Sequence, residues 1–336
     1  MKVDTWFGVL ETGSVGEITG SRLISKDIRE LALHSLSLRD SRLNLPPEGF
    51  DLKAAAIECG FVESPAEYYS LLHEVTLEAA KLQVSGALTP DQRIIQAVEA
   101  LDDINETTNS LSERLFEWYG GYFPESGLSG ETLALFIVKY GSRDNIDSED
   151  PLYLKARDSM GAKLEAADEA LLRGFAESVC SLYERRRQIE AYIQSSMELI
   201  APNLNLIAGP MLGARLISIA GSLEKLAVFP SSTIQVIGAS KALFKHLRAR
   251  APSPKHGVIY SHPLINTAPW WVRGKIARAV SAKLSLAARI DFYSGKKDIS
   301  LAEKLETKVL QIKALNPRPP QKKQESGAKL KKKRRK

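Results

Sequence analysis

Two long apolar stripes limit what this chain can fold into more than any other feature. Ile94, Val98, Leu101, Ile104, Leu111, Leu115 and Trp118 recur at steps of three, four and seven, the spacing of a helical seam. Leu164, Leu171, Phe175, Leu182, Ile189, Ile193 and Ile200 form a second stripe. Thr89-Pro-Asp-Gln92 opens the first helix with capping residues, and Gly120, Gly121 and Pro124 close it. A shorter helix follows Ser129, from Glu131 to Tyr140, and a polar loop spans 141–150. Asp150-Pro151 can cap a second long helix that runs to Ile200. Antiparallel packing of the two is the simplest use of these stripes. Either the pair closes on itself as an ordinary bundle, or its seam also recruits a second copy through Leu164, Leu171, Phe175 and Leu182. Gly161 and Gly174 fall inside the second helix, at about 1 kcal/mol each relative to alanine, and permit either close packing or a bend. Arg185-Arg-Arg187 interrupts the apolar period and reads as a solvated face.

In front of the stripes, residues 3–24 read as a hairpin, with Glu11-Thr-Gly-Ser14 as its turn-rich spacer. Helices are expected over Asp27–Leu38, Asp51–Cys59 and Ser64–Val84. The last has Ser64 as N-cap, Pro65 in its first turn and Glu67 three residues on. Behind the stripes, Thr233-Ile-Gln-Val-Ile237 is apolar and β-prone, and Gly238 ends it. A helix then starts at Ala239-Ser-Lys241, with Ser240 able to cap it. Free N–H groups at such a start, with Lys241 beside them, suit a phosphate.

Charge divides the chain. Residues 1–120 hold 10 basic and 20 acidic side chains, whereas 201–317 hold 17 and 5. Between 201 and 290 there are 12 Lys or Arg and one acid, Glu224. A nearly one-signed basic surface attracts polyanions, and the asymmetry argues for a nucleic-acid end and a separate protein-contact end. Lys245, His246, Arg248, Arg250, Lys255 and His256 form a run stiffened by Pro252 and Pro254. On the helix from Val272 to Ile290, Lys275, Arg278 and Arg289 share the face opposite the apolar one, with Arg273 nearby. Lys283 falls inside the apolar arc, where it pairs with an acid such as Glu224 or snorkels out. Of Trp270 and Trp271, at least one is expected in the core. The tail 318–336 holds 10 basic residues and one acid and is expected to be disordered alone.

No catalytic constellation is present: no Gly-x-Gly-x-x-Gly, P-loop, His-Glu-x-x-His or Gly-x-Ser-x-Gly. His246, His256 and His262 lack the neighbouring Cys or paired acids of a metal site. Cys59 and Cys180 form no Cys-x-x-Cys pattern, which fits a reducing, intracellular compartment. No apolar run approaches the ~18 residues of a membrane helix, and Met-Lys-Val-Asp-Thr-Trp begins no signal peptide.

Seven words between 213 and 292 carry a resemblance: Gly-Ala-Arg-Leu-Ile, Ala-Gly-Ser-Leu, Pro-Ser-Ser-Thr-Ile-Gln, Gly-Ala-x-Lys-Ala-Leu-Phe, Pro-Lys-His-Gly-Val-Ile-Tyr, Pro-Trp-Trp-x-Arg-Gly-Lys-Ile-Ala-Arg and Ala-Ala-Arg-Ile-Asp-Phe. Together they resemble the Nop domain in its archaeal form, over 201–317. The resemblance implies a mostly helical α+β chain with four parts. These are an acidic α/β domain over 1–88 that binds fibrillarin, an antiparallel coiled coil over 89–200 that pairs two copies, a helical Nop domain, and the basic tail. It implies a non-catalytic scaffold of box C/D RNA-guided 2′-O-methylation, acting on rRNA or tRNA, with no cofactor of its own. S-adenosylmethionine belongs to the fibrillarin partner. The guide RNA is bound together with a kink-turn protein of the ribosomal L7 family, in the cytoplasm of an archaeal cell or the nucleolus of a eukaryotic one. The RNA-facing residues carried over or added from the basic run are Gly238, Ala239, Ser240, Lys241, Lys245, His246, Arg248, Arg250, Lys255, His256, Arg273, Lys275 and Arg278. The imidazole of His256 is expected to stack on an unpaired base. Where the family has Glu at position 240 this chain has Ser, which removes a carboxylate. Three rival readings remain: a spliceosomal Nop-domain scaffold, a stand-alone RNA-modifying enzyme, and a helical adaptor without RNA.

Overall fold

The computed structural model describes residues 2–13, 18–41, 46–47, 49–249 and 252–319, without the side chains at 40, 41, 241, 243, 246, 247 and 249. Nearly all of the expected basic tail lies outside that set. The chain is a mostly helical α+β protein that divides into two units, Met1–Thr89 and Pro90–Lys336.

The first unit begins with a three-stranded antiparallel meander, β1 (Lys2–Thr5), β2 (Gly8–Thr12) and β3 (Ile18–Leu23), in spatial order β1-β2-β3. The expected single hairpin is therefore two. Trp6-Phe7 supplies the extra turn, because both rings bury, Phe7 fully, against Phe61 and Tyr68. Helices α1 (Ile28–Ser41), α2 (Leu52–Glu58) and α3 (Pro65–Gly86) cover the sheet. The start of α3 is built as its sequence indicates. Ser64 Oγ accepts from Glu67 N at 3.2 Å, and the Glu67 carboxylate accepts from Glu63 N at 2.7 Å. Lys26 reaches the same carboxylate at 2.6 Å and holds its pKa below the usual range.

The second unit is organised on two long helices, α4 (Pro90–Gly120) and α7 (Ala166–Ile200), with α5 (Gly130–Tyr140) and α6 (Tyr153–Arg157) between them. Ser112 meets Tyr183, and Trp118 meets Phe175, so the two run antiparallel. At ~1.5 Å per residue each is roughly 50 Å long. Most seam residues close within the chain. Ile94, Val98, Leu101 and Ile193 are buried in one core; Leu115 and Val179 are buried in another, against Leu133 and Ile137 of α5. The stripe 164–200 is not one helix. Residues 158–165 form a loop in which Gly161 approaches the Tyr122 backbone so closely that a Cβ would lie 2.2 Å from Tyr122 O. Leu164, expected at a dimer seam, is buried in that loop, and Phe175 packs on Trp118 of the same chain. Leu182 is half-buried, and only Leu171 of the four is open, at 60% exposure. The arginine triplet behaves as a solvated face: Arg185 bonds Gln188, Arg186 Glu190, and Arg187 both Glu131 and Glu184.

Among the described residues this unit also holds α8 (Pro202–Ala208), α9 (Pro210–Ala220), α10 (Leu223–Val228), α11 (Ser231–Val236), α12 (Ser240–Ala249), α13 (Pro263–Asn266), α14 (Trp270–Tyr293) and α15 (Ser300–Ala314). The central one is α14. Val272, Ile276, Val280, Leu284, Ala287 and Ala288 are buried along it, in the same core as Ile94 and Val98 of α4 and Leu305 and Val309 of α15. Polar ties hold the helical end to α4, among them Gln92 Nε2 donating to Gly221 O at 2.9 Å. Arg215 pairs with Asp102, holding that carboxyl below its usual range, and Asp91 accepts from Leu223 N at 2.8 Å. A further tie comes from the aspartate of the Ala-Ala-Arg-Ile-Asp-Phe word. Asp291, buried on α14, accepts from Asn203 N at 3.0 Å, Asn203 Nδ2 at 2.7 Å and Leu204 N at 2.8 Å, closing the start of α8. Lys283 is half-buried; Asp298, whose carboxyl the Ser300 hydrogen bond holds below its usual range, also feels the Lys283 charge as a minor influence.

His262 is buried at the start of α13. Its Nδ1 accepts from Leu264 N at 3.1 Å, so Nε2 carries the proton and donates to Ile207 O at 2.8 Å. Burial pushes its pKa below the usual 6.5. The unfolded chain therefore takes up a proton that the folded chain resists, and stability falls as pH drops below 6.5. Urea midpoints at pH 7.5 and 5.5 should show a decline in the native chain that is shallower in His262→Gln.

Candidate nucleic-acid interface

The basic face is assembled where the chain leaves α11, makes α12 and returns. The segment 233–237, expected to be extended, is helical to Val236. Pro230 stands at the N-cap without a side-chain cap, and the burial of Ile234 in the core around α14 overrides the local strand preference. Gly238 then turns the chain with φ of +80°, a conformation open to glycine. Helix α12 starts at Ser240 itself, so Ala239, not Ser240, occupies the capping position. Ala239 has no side-chain oxygen to offer its first-turn N–H groups. Along α12, Ala242, Phe244, Lys245 and Arg248 are exposed, with the Arg248 guanidinium 4.3 Å from the Phe244 ring centre. The side chains of Lys241 and His246, and all of Arg250, lie outside the described residues.

The returning loop is zipped onto the end of α11. Gly257 N donates to Gln235 O at 2.8 Å, Val258 N to Ile237 O at 2.8 Å, and Gln235 Nε2 to Lys255 O at 2.7 Å. The backbones meet so closely that a Cβ on Gly257 would lie 1.9 Å from Ile237 O. This contact fixes Lys255, which is exposed, and His256, which is half-buried.

His256 lies face to face with Tyr260, ring centres 4.6 Å apart and planes 19° apart. Arg273 sits 5.3 Å from the Tyr260 centroid and donates to Ala268 O at 3.0 Å. Arg273 therefore props the ring stack rather than presenting a free guanidinium. Partial burial, then the charges of Arg273 and Lys255, hold the His256 pKa below 6.5, so the ring is neutral near pH 7.

Between α11, α14 and the returning loop lies an open groove of about 520 Å³. Trp270, Lys255, Lys275, Arg278 and Gln235 line it, and no acid does. Trp270 is 59% exposed. Trp271, the half-buried one, donates Nε1 to Asn316 O at 3.0 Å, and Lys275 Nζ reaches Asn316 Oδ1 at 2.5 Å. Arg278 is exposed, whereas Arg289 turns away to Ala227 O at 3.0 Å. The structure thus gathers Gly238, Lys255, His256, Arg273, Lys275 and Arg278, and sets Ala239, Ser240, Lys245 and Arg248 on or beside α12. At least one of the two tryptophans was expected in the core; Trp271 is half-buried and Trp270 stands exposed on the groove wall, which the sequence did not distinguish. Among the described residues no cluster is placed to hold a metal ion, and no helix is long and apolar enough to cross a membrane.

Residues 100–313 match the family model Nop, described as "snoRNA binding domain, fibrillarin". The chain belongs to the Nop family. Its similarity to Nop proteins extends across archaea and fungi. An uncharacterised NOP5 family protein of Methanocaldococcus jannaschii is 44% identical over 277 residues, 78% of this chain and 67% of that one. The nucleolar protein 58 of Botryotinia fuckeliana is 39% identical over 218 residues, 61% of this chain and only 38% of that protein's length. A crystal structure titled as a fibrillarin/Nop5p complex is similar at 26% identity and TM-score 0.45, covering 93% of this chain and 100% of that one. As a Nop-family member, the chain has the family's match running through both long helices and the basic face.

Proposed function

We propose that this chain is the scaffold subunit of a box C/D RNA-guided 2′-O-methylation complex. One observation carries the reading: an acid-free basic groove and loop, fixed backbone to backbone, within a region matched to a snoRNA-binding family. The region 201–317 grips the guide RNA together with a kink-turn protein of the ribosomal L7 family. The acidic first unit holds fibrillarin, to which S-adenosylmethionine and the chemistry belong. The scaffold contributes position, placing a catalytic subunit against one ribose of rRNA or tRNA. In a eukaryotic cell it would act in the nucleolus, a site that the name of the fungal relatives supports.

Removal of residues 1–89 tests the division of labour. The truncated chain should bind box C/D RNA with unchanged affinity and lose fibrillarin in co-purification. Collapse of RNA affinity instead would refute it.

Self-association along the stalk belongs to the same reading, since Leu171 and Phe116 stand 60% and 50% exposed there. Leu171→Glu should shift light scattering from dimer to monomer without a change in melting temperature. Phe175→Glu should destabilise the fold itself, because that ring lies against Trp118. A native chain that is already monomeric at tens of micromolar would defeat the dimer.

A further inference from the structure

The zipped loop and its ring stack leave His256 with one face covered by Tyr260. A base that stacks on this domain has a better platform elsewhere. Trp270 begins α14 at 59% exposure, edge-on to Trp271, ring centres 6.0 Å apart and planes at 87°. Trp271 is held by Asn316, so it braces its neighbour without sharing the exposed face. One and two turns further along α14 come Gly274 and Arg278. At Gly274 an added Cβ would lie 3.8 Å from Cβ and Cδ of Lys255, so the Lys255 side chain packs over α14 between Trp270 and Arg278. Arg278 lies eight residues from Trp270, about 12 Å along the helix axis.

An aromatic plane at one end, cations along the rest and no acid among them form the pattern that binds single strands. Stacking holds a base without reading its sequence, and the cations follow the backbone. We infer that this groove is a binding site for single-stranded RNA, with one unpaired nucleobase on the indole of Trp270 and the adjoining phosphates at Arg278 and Lys255. The inference rests on the RNA-binding reading above and adds to it a place where an unpaired nucleotide leaves the structured part of the guide. Base-paired RNA, whose bases are already stacked on each other, has no use for Trp270.

The test uses the full chain and two probes: an oligoadenylate carrying 2-aminopurine, and a fully base-paired RNA duplex without overhangs. Binding of the oligonucleotide should quench 2-aminopurine through stacking. Trp270→Ala should weaken oligonucleotide binding roughly ten- to hundredfold and abolish the quenching. The same variant should leave the base-paired RNA within about twofold of its native affinity. Trp270→Phe should retain most of the binding, and Arg278→Ala should weaken both probes and flatten the salt dependence. Two results would overturn the site while the native chain still binds the duplex. One is an unchanged oligonucleotide affinity and quenching in Trp270→Ala; the other is an equal loss on both probes. A native chain that binds neither probe would overturn this site and the RNA-binding reading together.

Discussion

Asp291→Ala is expected to cost about 3–5 kcal/mol of stability, the largest effect of any single substitution proposed for this chain. The carboxylate is 6% exposed and receives three N–H groups, two from the backbone at the start of α8 and one from the Asn203 amide. Alanine leaves all three donors buried and unpaired, at about 1–3 kcal/mol each before relaxation. The effect spreads, because Asn203 also donates to Lys296 O and accepts from Asp298 N, tying the connection between α14 and α15. Since domains of this size are stable by about 5–15 kcal/mol, the variant should melt far earlier. Asp291→Asn keeps the volume and one good acceptor, so it should fall between. Chemical denaturation reads both; a loss below about 1 kcal/mol in the alanine variant would mean that α8 starts without this tie.

The largest expected effect on binding comes from a change that deletes no chemical group. In Gly257→Ala the new methyl meets Ile237 O at 1.9 Å and Val236 C at 2.7 Å, both backbone atoms. Neither can swing aside as a flexible side chain can, so the loop must lift and break its two backbone bonds to Gln235 and Ile237. Lys255 and His256 then lose their fixed place, while every core residue remains. Contacts to charged groups contribute about 1.5–3 kcal/mol each, so RNA affinity should fall about a hundredfold, as far as in Lys255→Ala with His256→Ala. The melting temperature should drop by only a few degrees. Native affinity in Gly257→Ala, measured by titration against box C/D RNA, would show that loop geometry is irrelevant to recognition.

Much of this architecture was legible because its signals are periodic or chemical. The stripe from Ile94 to Trp118 lies on one helix, and Ser64 with Glu67 caps α3. Errors arose where a period was carried across a break. Leu164 keeps the spacing of the second stripe, yet Gly161 marks a loop in contact with the Tyr122 backbone. The segment 233–237 misled for a different reason: four of its five residues are β-branched, yet the burial of Ile234 in the core around α14 outweighs that local preference. Asp291 gave a readable hint, a carboxylate inside the apolar arc of α14, but its partners lie 87 and 88 residues away. At the interface, Lys255, His256 and Arg278 were chosen from charge and motif, and Lys255 and Arg278 line the groove. Arg273 was chosen in the same way, and its guanidinium turns to Ala268 O and the Tyr260 ring, a direction that charge alone does not reveal. Exposure of an aromatic residue depends on its neighbour, so the sequence did not distinguish Trp270 from Trp271; here Trp271 takes the inner position.

The central claim is that this chain positions another subunit's chemistry on RNA. Its most direct test is reconstituted methylation of a target RNA from this chain, fibrillarin, the kink-turn protein and a box C/D guide, with each component withheld in turn. The expected result is methyl transfer at one guided ribose only when all four are present, and none from this chain alone. Transfer that persists at full rate without this chain, or that this chain performs by itself, would contradict the account.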